Sequence, residues 1–242
     1  MEVRSRMGLS YEDRRLLDEG LVRLGIGALY EGRKEKTRAD DPDRLSGSEA
    51  ADLLSRFIDE LLLWNRNTNL VSTHSPREII VRHVFDSLSV CRLLKPENAS
   101  ILDIGSGAGF PSIPLAIVYR NVCVHAAERR HKRASFLRNA ALILGLDNLS
   151  VLEKDARDIK GIYDTILARG VGDLSYLYQI GRELLRERAM IIAFKGKISE
   201  IEKEVSRLKA KTMDKDVQLS IQRVKVPYLE EEERNFVIIQ TK

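Results

Sequence analysis

From Ser100 onward the chain alternates short apolar runs with amphipathic stretches whose apolar positions recur at helical spacing. The short runs predict strands at 100–105, 122–128, 149–155, 163–169, 190–196, 218–226 and 235–241. The longer period predicts helices at 111–119, 131–145, 174–187 and 199–211. Such alternation packs helices on a mostly parallel sheet. The expected fold class is therefore α/β, a doubly wound, mostly parallel seven-stranded sheet. No helix separates the last two strands, only "PYLEEEER", so the final strand is expected to run antiparallel as a hairpin.

Before Ser100 the pattern is helical throughout. One helix is expected at 11–24, and Glu31 to Arg44 is a charged connector without apolar period. A second, at about 48–64, buries Leu53, Leu54, Phe57, Ile58, Leu61 and Leu62 and ends near Trp64. A third starts at "SPRE", where Ser75 can cap, Pro76 fits the first helical position and Glu78 can close a capping box. Residues 1–98 thus form a helical N-terminal extension and 99–242 the α/β domain.

With 242 residues, 43% of them hydrophobic, the chain can bury one good core. No apolar stretch approaches the roughly 20 residues of a membrane span, and "MEVRSRMGLS" is too polar for a secretory signal. The expected compartment is the cytoplasm. Cys91 and Cys123 stand among apolar neighbours and far from any cluster with metal-ligand spacing, so both are expected in the core and no metal is expected. Forty Lys and Arg against 36 Asp and Glu give a net charge of +4, a slight bias toward a polyanionic partner. The expected state is a monomer.

The chemistry concentrates in "ILDIGSGAGF", residues 101–110, where Gly105, Gly107 and Gly109 alternate after a first strand. A glycine-rich turn between strand and helix lets a ligand approach the backbone closely. The dinucleotide fingerprint requires glycine at 110 or 112, which hold Phe110 and Ser112, and no Gly-Lys-Ser/Thr follows to make a phosphate loop. The plain alternative is a tight turn flanked by solvated acids. What remains, acid-x-Gly-x-Gly-x-Gly, resembles motif I of the class I S-adenosylmethionine-dependent methyltransferases. The resemblance implies that Asp103, Gly105, Ser106, Gly107, Gly109 and Phe110 border that cofactor. It also implies that Glu128, ending the second strand, accepts hydrogen bonds from both ribose hydroxyls.

The segments "LLLWNRNTNLVS", "REIIVRHVFDSL", "ILDIGSGAGFPSIPLAI" and "KRASFLRNAALILGL" are similar to the small-subunit (16S) ribosomal RNA methyltransferase G family, also called glucose-inhibited division protein B. The likeness runs from about Leu61 to Gly196, with a weaker echo in "RNFVIIQTK". It implies methylation of guanine N7 in the 530 loop of 16S rRNA, on the RNA or the 30S subunit. After strand four the chain reads "ARGVGD", without the Pro-Pro-aromatic turn of adenine-N6 and cytosine-N4 enzymes, and neither cysteine is placed for attack on cytosine C5. Guanine N7 offers a lone pair and carries no proton, so alignment can replace a general base. A class I methyltransferase for a small molecule or protein, and a non-catalytic rRNA-binding assembly factor, stay open as alternatives.

Arg169 matches the arginine of the family's Ser-Arg-Ala triplet. It is expected to touch the cofactor and to hold an RNA phosphate or guanine O6; Lys195 is similarly placed, and Lys197 follows it. Arg129, Arg130, Lys132 and Arg133 in "ERRHKR" crowd positive charge onto a helix N-terminus, a conflict that an RNA backbone would relieve. Asp86, four past Arg82 and three past His83, is placed to pair within its helix, whereas the resemblance sets this cluster beside the cofactor pocket. Trp64 reads as a core anchor, and His74 and His125 carry no motif. The chain departs from the family at Asp155-Ala156-Arg157, where Arg-x-Glu is usual, and at Ser112, where glycine is usual. A backbone amide at Ala156 or Arg157 is the expected adenine contact.

Overall fold

The computed structural model describes residues 8–26, 47–94, 99–211 and 217–241. The charged connector expected at 31–44 lies outside them. Seven strands form one sheet: β1 (Ser100–Ile104), β2 (Cys123–Ala127), β3 (Leu149–Leu152), β4 (Tyr163–Arg169), β5 (Leu185–Lys195), β6 (Val217–Arg223) and β7 (Asn235–Thr241). Their order is β3-β2-β1-β4-β5-β7-β6. Pairing is parallel from β3 through β5 and antiparallel for β5 with β7 and β6 with β7. The order reverses between β1 and β4, the place where open sheets of this kind take their ligands, beyond the carboxyl ends of the strands.

Strand periodicity divides the core in two. Ile101, Val124, Leu167, Ile192 and Ile238 point to one face. There they meet the helices α1 (Tyr11–Arg23), α2 (Gly47–Thr68), α5 (Ser112–Val118) and α6 (His131–Leu144). The alternate residues Leu102, Ile166, Ile191, Val237 and Ile239 pack on α7 (Leu174–Gly181) and α8 (Ile198–Lys211). Two-sided burial explains why these strands read as continuous apolar runs.

Between α2 and β1 the helical rod changes pitch. α3 (Pro76–Ile79) opens into a π-helical turn, Ile80–Phe85, before α4 (Asp86–Leu88) and a 3₁₀ turn, Ser89–Arg92. A π turn carries one extra residue per hydrogen-bonded ring and redirects the side chains on it. Ser75 caps α3 as expected, its hydroxyl accepting from Glu78 N–H at 3.3 Å. The capping box does not close, because the Ser75 N–H donates to Thr73 Oγ1 at 3.1 Å and Glu78 turns to Arg82.

Other boundaries shift for local reasons. The helix expected over 174–187 stops at Gly181, because Leu185 pairs with Tyr163 and draws the following residues into β5. Cys91 is buried as expected, but Cys123 is exposed: it opens β2 at the sheet rim, 3.5 Å from His125 Nε2. His125 is held at Nδ1 by the Tyr163 hydroxyl at 2.8 Å. Trp64 packs edge-on to Phe136 at 5.7 Å between centroids, consistent with a core anchor.

Gly20, buried in α1, lies against the ring of Phe85 at the end of the π turn, where a Cβ would collide with it. Gly20→Ala gains about 1 kcal/mol of helix propensity yet overpacks this contact at a cost of about 1–3 kcal/mol. The expected outcome is net destabilisation, read as a lower urea midpoint with unchanged slope.

Candidate functional site

β1 and β2 run parallel in register Asp103↔Ala126 and Ile104↔Ala127, so their ends bring Asp103 and Glu128 to one edge. Between them the chain turns through three left-handed glycines: φ is +72° at Gly105, +57° at Gly107 and +91° at Gly109. They serve different needs. A Cβ on Gly105 would strike Val171, and one on Gly109 would strike Ile113, so those two are fixed by the protein's own packing. Over Gly107 the nearest atoms, Arg133 Nη1 and the Gly105 carbonyl, stand 3.7 Å from a Cβ position. Only Gly107 has room above it.

Most of the turn's N–H groups are spent internally. Gly105 and Ser106 donate to the Ala127 carbonyl, while Gly109 and Phe110 donate to that of Ser106. Gly107 N–H donates to Glu128 Oε2 at 3.1 Å, and Arg130 N–H to Oε1 at 2.8 Å. Glu128 is thus fixed beside Gly107, each oxygen with a further lone pair to offer. Asp103 is fully buried: Oδ2 accepts from Ser112 N–H at 3.3 Å and Oδ1 has no partner among the described residues. Burial pushes its pKa from 3.8 up to about 6, against the opposing influence of Ser106, Ser112 and Arg169. A buried carboxylate with an unpartnered oxygen, a left-handed glycine uncrowded at its Cβ position and a second, anchored carboxylate fit a ligand rich in N–H and O–H donors.

Arg169, ending β4, is clamped. Nη1 donates to Asp86 Oδ2 at 3.0 Å and to the Arg82 carbonyl at 3.2 Å, and Nη2 lies 2.8 Å from His83 Nδ1. Guanidinium offers no acceptor, so His83 accepts through Nδ1 and carries its proton on Nε2. Burial first, then the Arg169 charge, lowers the His83 pKa to about 4, which keeps the ring neutral. Phe110 completes the set, stacked on His83 at 5.1 Å and lying 5.3 Å below the guanidinium. The π turn aims His83, and its exit into α4 aims Asp86, at Arg169, so the intrahelical pair expected for Asp86 does not form; Arg82 turns to Glu232 at 2.6 Å instead.

Arg169 also lines a hollow of about 190 Å³ beyond the end of β5, with Asp86, Phe194, Lys195, Arg234 and Phe236. Lys195 is not a free cation, because Glu204 holds its ammonium at 2.8 and 3.0 Å and the Gly172 carbonyl at 3.1 Å. Lys197 is exposed. In the basic turn, Arg129 reaches Asp155 at 3.4 Å, whereas Arg130, Lys132 and Arg133 have no carboxylate partner among the described residues. Asp155 and Arg157 pair at 2.8 Å, and the Arg157 guanidinium, aided by its own N–H, holds Asp155 down near a pKa of about 2. The exchanged charges at 155 and 157 thus satisfy each other, and Ala156 lies between them in a 3₁₀ turn.

Sequence reasoning brought Asp103, the glycines, Glu128 and Arg169 to one edge. It missed Arg234, whose Nε is 3.5 Å from Asp86, and Glu204 and Glu232, which neutralise cations at the same edge. The signal available was "ERN" at the start of an antiparallel β7, whose first residue, Asn235, pairs with Lys195. Among the described residues no group of three or more His, Cys, Asp or Glu is placed to hold a metal, and no helix is long and apolar enough to cross a membrane.

The sequence profile described as rRNA small subunit methyltransferase G matches residues 50–237. A ribosomal RNA small subunit methyltransferase G of Borrelia turicatae is 36% identical over 165 residues, covering 67% of this chain and 80% of that protein. Another, from Brachyspira hyodysenteriae, is 34% identical over 188 residues, covering 77% and 88%. Among solved structures, an O-methyltransferase from Bacillus cereus in complex with SAH shares the fold, with a TM-score of 0.53, 17% identity and coverage of 77% and 91%.

A buried acid whose folded pKa is raised stabilises fully below its unfolded value and loses that contribution as pH rises through the folded one. From 3.8 to about 6 the loss for Asp103 is on the order of 3 kcal/mol. The stability difference between wild type and Asp103→Asn is therefore expected to move against wild type between about pH 4 and pH 7. Urea unfolding of both proteins across that range measures it.

Proposed function

The chain belongs to the rRNA small subunit methyltransferase G family, and from that premise we propose that it methylates N7 of a guanine in the 530 loop of 16S rRNA, using S-adenosylmethionine. The observation that carries the cofactor part is the glycine turn itself, with Gly107 left-handed, uncrowded at its Cβ position and hydrogen-bonded to the Glu128 carboxylate, and Asp103 buried at the end of the preceding strand. Bound there, S-adenosylmethionine supplies an electrophilic methyl group on a sulfonium.

The chain's own residues do the rest. Glu128 presents acceptors to a ribose diol, and Asp103, pushed up by burial, gains from any donor or positive charge brought to its free oxygen. His83 is uncharged near neutral pH and occupied by Arg169, so it is no proton acceptor. None is needed, because guanine N7 attacks through a lone pair and loses no proton. Catalysis on this reading is alignment in a fixed crevice. The clamp on Arg169 supports that role by holding a cation still at the carboxyl edge of the sheet.

RNA is held by charges that the protein leaves unpaired. Arg130, Lys132 and Arg133 surround the start of α6, and the Arg133 guanidinium reaches over Gly107. Lys197 adds a further exposed cation beyond β5. Lys195, neutralised by Glu204, serves the framework at the pocket wall.

Three outcomes are expected. Incubation of unmethylated 16S rRNA or 30S subunits with the protein and S-adenosylmethionine yields N7-methylguanine at one site in the 530 loop, mapped by mass spectrometry; methyl groups elsewhere, or none, contradict the reading. Glu128→Gln lowers kcat/KM for the cofactor roughly 10–100-fold, the range for losing charged hydrogen bonds. Replacing Lys132 and Arg133 together by Ala flattens the plot of log affinity for RNA against log salt by about 1–2 units of slope.

A further inference from the structure

The hollow beyond β5 combines an apolar wall with charges of unequal availability. Phe194 and Phe236 pack edge to face at 4.8 Å between centroids. Arg234 spends Nη2 on Glu232 at 2.8 Å and Nη1 on the Glu233 carbonyl at 3.2 Å. Asp86 gives Oδ2 to Arg169, but Oδ1 has only Arg234 Nε, at 3.5 Å, beyond good hydrogen-bond distance. Asp86, with one oxygen left accepting capacity, therefore lines the hollow beside two guanidinium groups, and the hollow's volume lies below the roughly 300–1,000 Å³ of pockets for larger ligands.

The complement of such a lining is a flat ring that carries adjacent N–H donors and a carbonyl acceptor on one edge. Guanine has that edge: N1–H and the N2 amine as donors, with O6 next to them. Adenine sets an acceptor lone pair at N1, which would face the carboxylate. We propose that this hollow receives an extruded guanine base, with N1–H and the N2 amine on Asp86, O6 toward the arginines and Phe194 along the ring. Extruded bases are read in this way, by the Watson–Crick edge and an aromatic or apolar wall. The assignment rests on the reading that guanine is the methyl acceptor, and it names where that base sits. Recognition by this edge leaves N7 clear of protein donors, as its lone pair requires. Asp86 thereby acquires two tasks, positioning Arg169 and distinguishing guanine from other bases.

The test uses the full chain, isotope-labelled for NMR, titrated with GMP, IMP and AMP, which share the phosphate and differ in the base. GMP is expected to shift the amides of Lys195, Gly196, Asn235 and Phe236 and to bind about tenfold tighter than IMP, which lacks only the N2 amine. Asp86→Asn is expected to bring the GMP and IMP affinities within about twofold. Equal affinity for the three nucleotides on the unmodified chain, or GMP shifts confined to the glycine turn, overturns the proposal without any variant. A chain that prefers GMP yet methylates no rRNA keeps this pocket and loses the functional reading above. A chain that methylates guanine but does not distinguish GMP from IMP keeps that reading and loses the pocket.

Discussion

The hydrogen bond from Gly107 N–H to Glu128 ties the turn after β1 to the end of β2, and the geometry of the edge follows from it. A carboxylate at a strand end would ordinarily sweep through solvent. Here two backbone N–H groups from different segments hold its two oxygens, so both strands deliver their acids to one edge of the sheet. The same bond demands that the turn pass close under the carboxylate, which only left-handed backbone allows. Gly105 and Gly109 then follow from packing against Val171 and Ile113, and Gly107 from the bond and from the space left above it.

A second constraint joins the N-terminal helices to the sheet. Arg169 at the end of β4 would be an isolated cation at a partly buried edge. Asp86, His83 and the Arg82 carbonyl, all presented by one π turn and its exit, surround it, and Arg234 at the start of β7 shares the same carboxylate. Residues far apart in sequence thus meet in one charge network, with Glu232 bridging Arg82 and Arg234. Removing one partner of such a network leaves a buried charge unpaired, which costs more than the pair's own attraction contributes. The helices before β1 are in this sense part of the site's construction.

Much of the fold could be read from local patterns because parallel strands buried on both faces write continuous apolar runs. Each of the seven strands occurs in its expected place, although β5 opens early at Leu185, and the antiparallel hairpin at the end is present. The lapses share a cause: they depend on partners distant in sequence. Helical period continued past Gly181, and only pairing with Tyr163 turned Leu185 into strand. Cys123 sits in an apolar context, but its place at the rim exposes it. At the candidate site, the meeting of Asp103 with the glycines was legible because one stretch encodes them, and that of Glu128 because it ends the strand that follows. The clamp on Arg169, the capture of Lys195 by Glu204 and the place of Arg234 were not, since no spacing along the chain foretells a contact made across a π turn or from an antiparallel strand.

The cofactor nucleoside is proposed to lie against the turn at Gly107, between β1 and the Glu128 carboxylate. A crystal structure of the full chain grown with saturating S-adenosylhomocysteine tests this most directly. The expected result is the ribose hydroxyls on Glu128 and the ligand's backbone-facing side above Gly107. An empty crevice, or the ligand bound at another edge of the sheet, contradicts it.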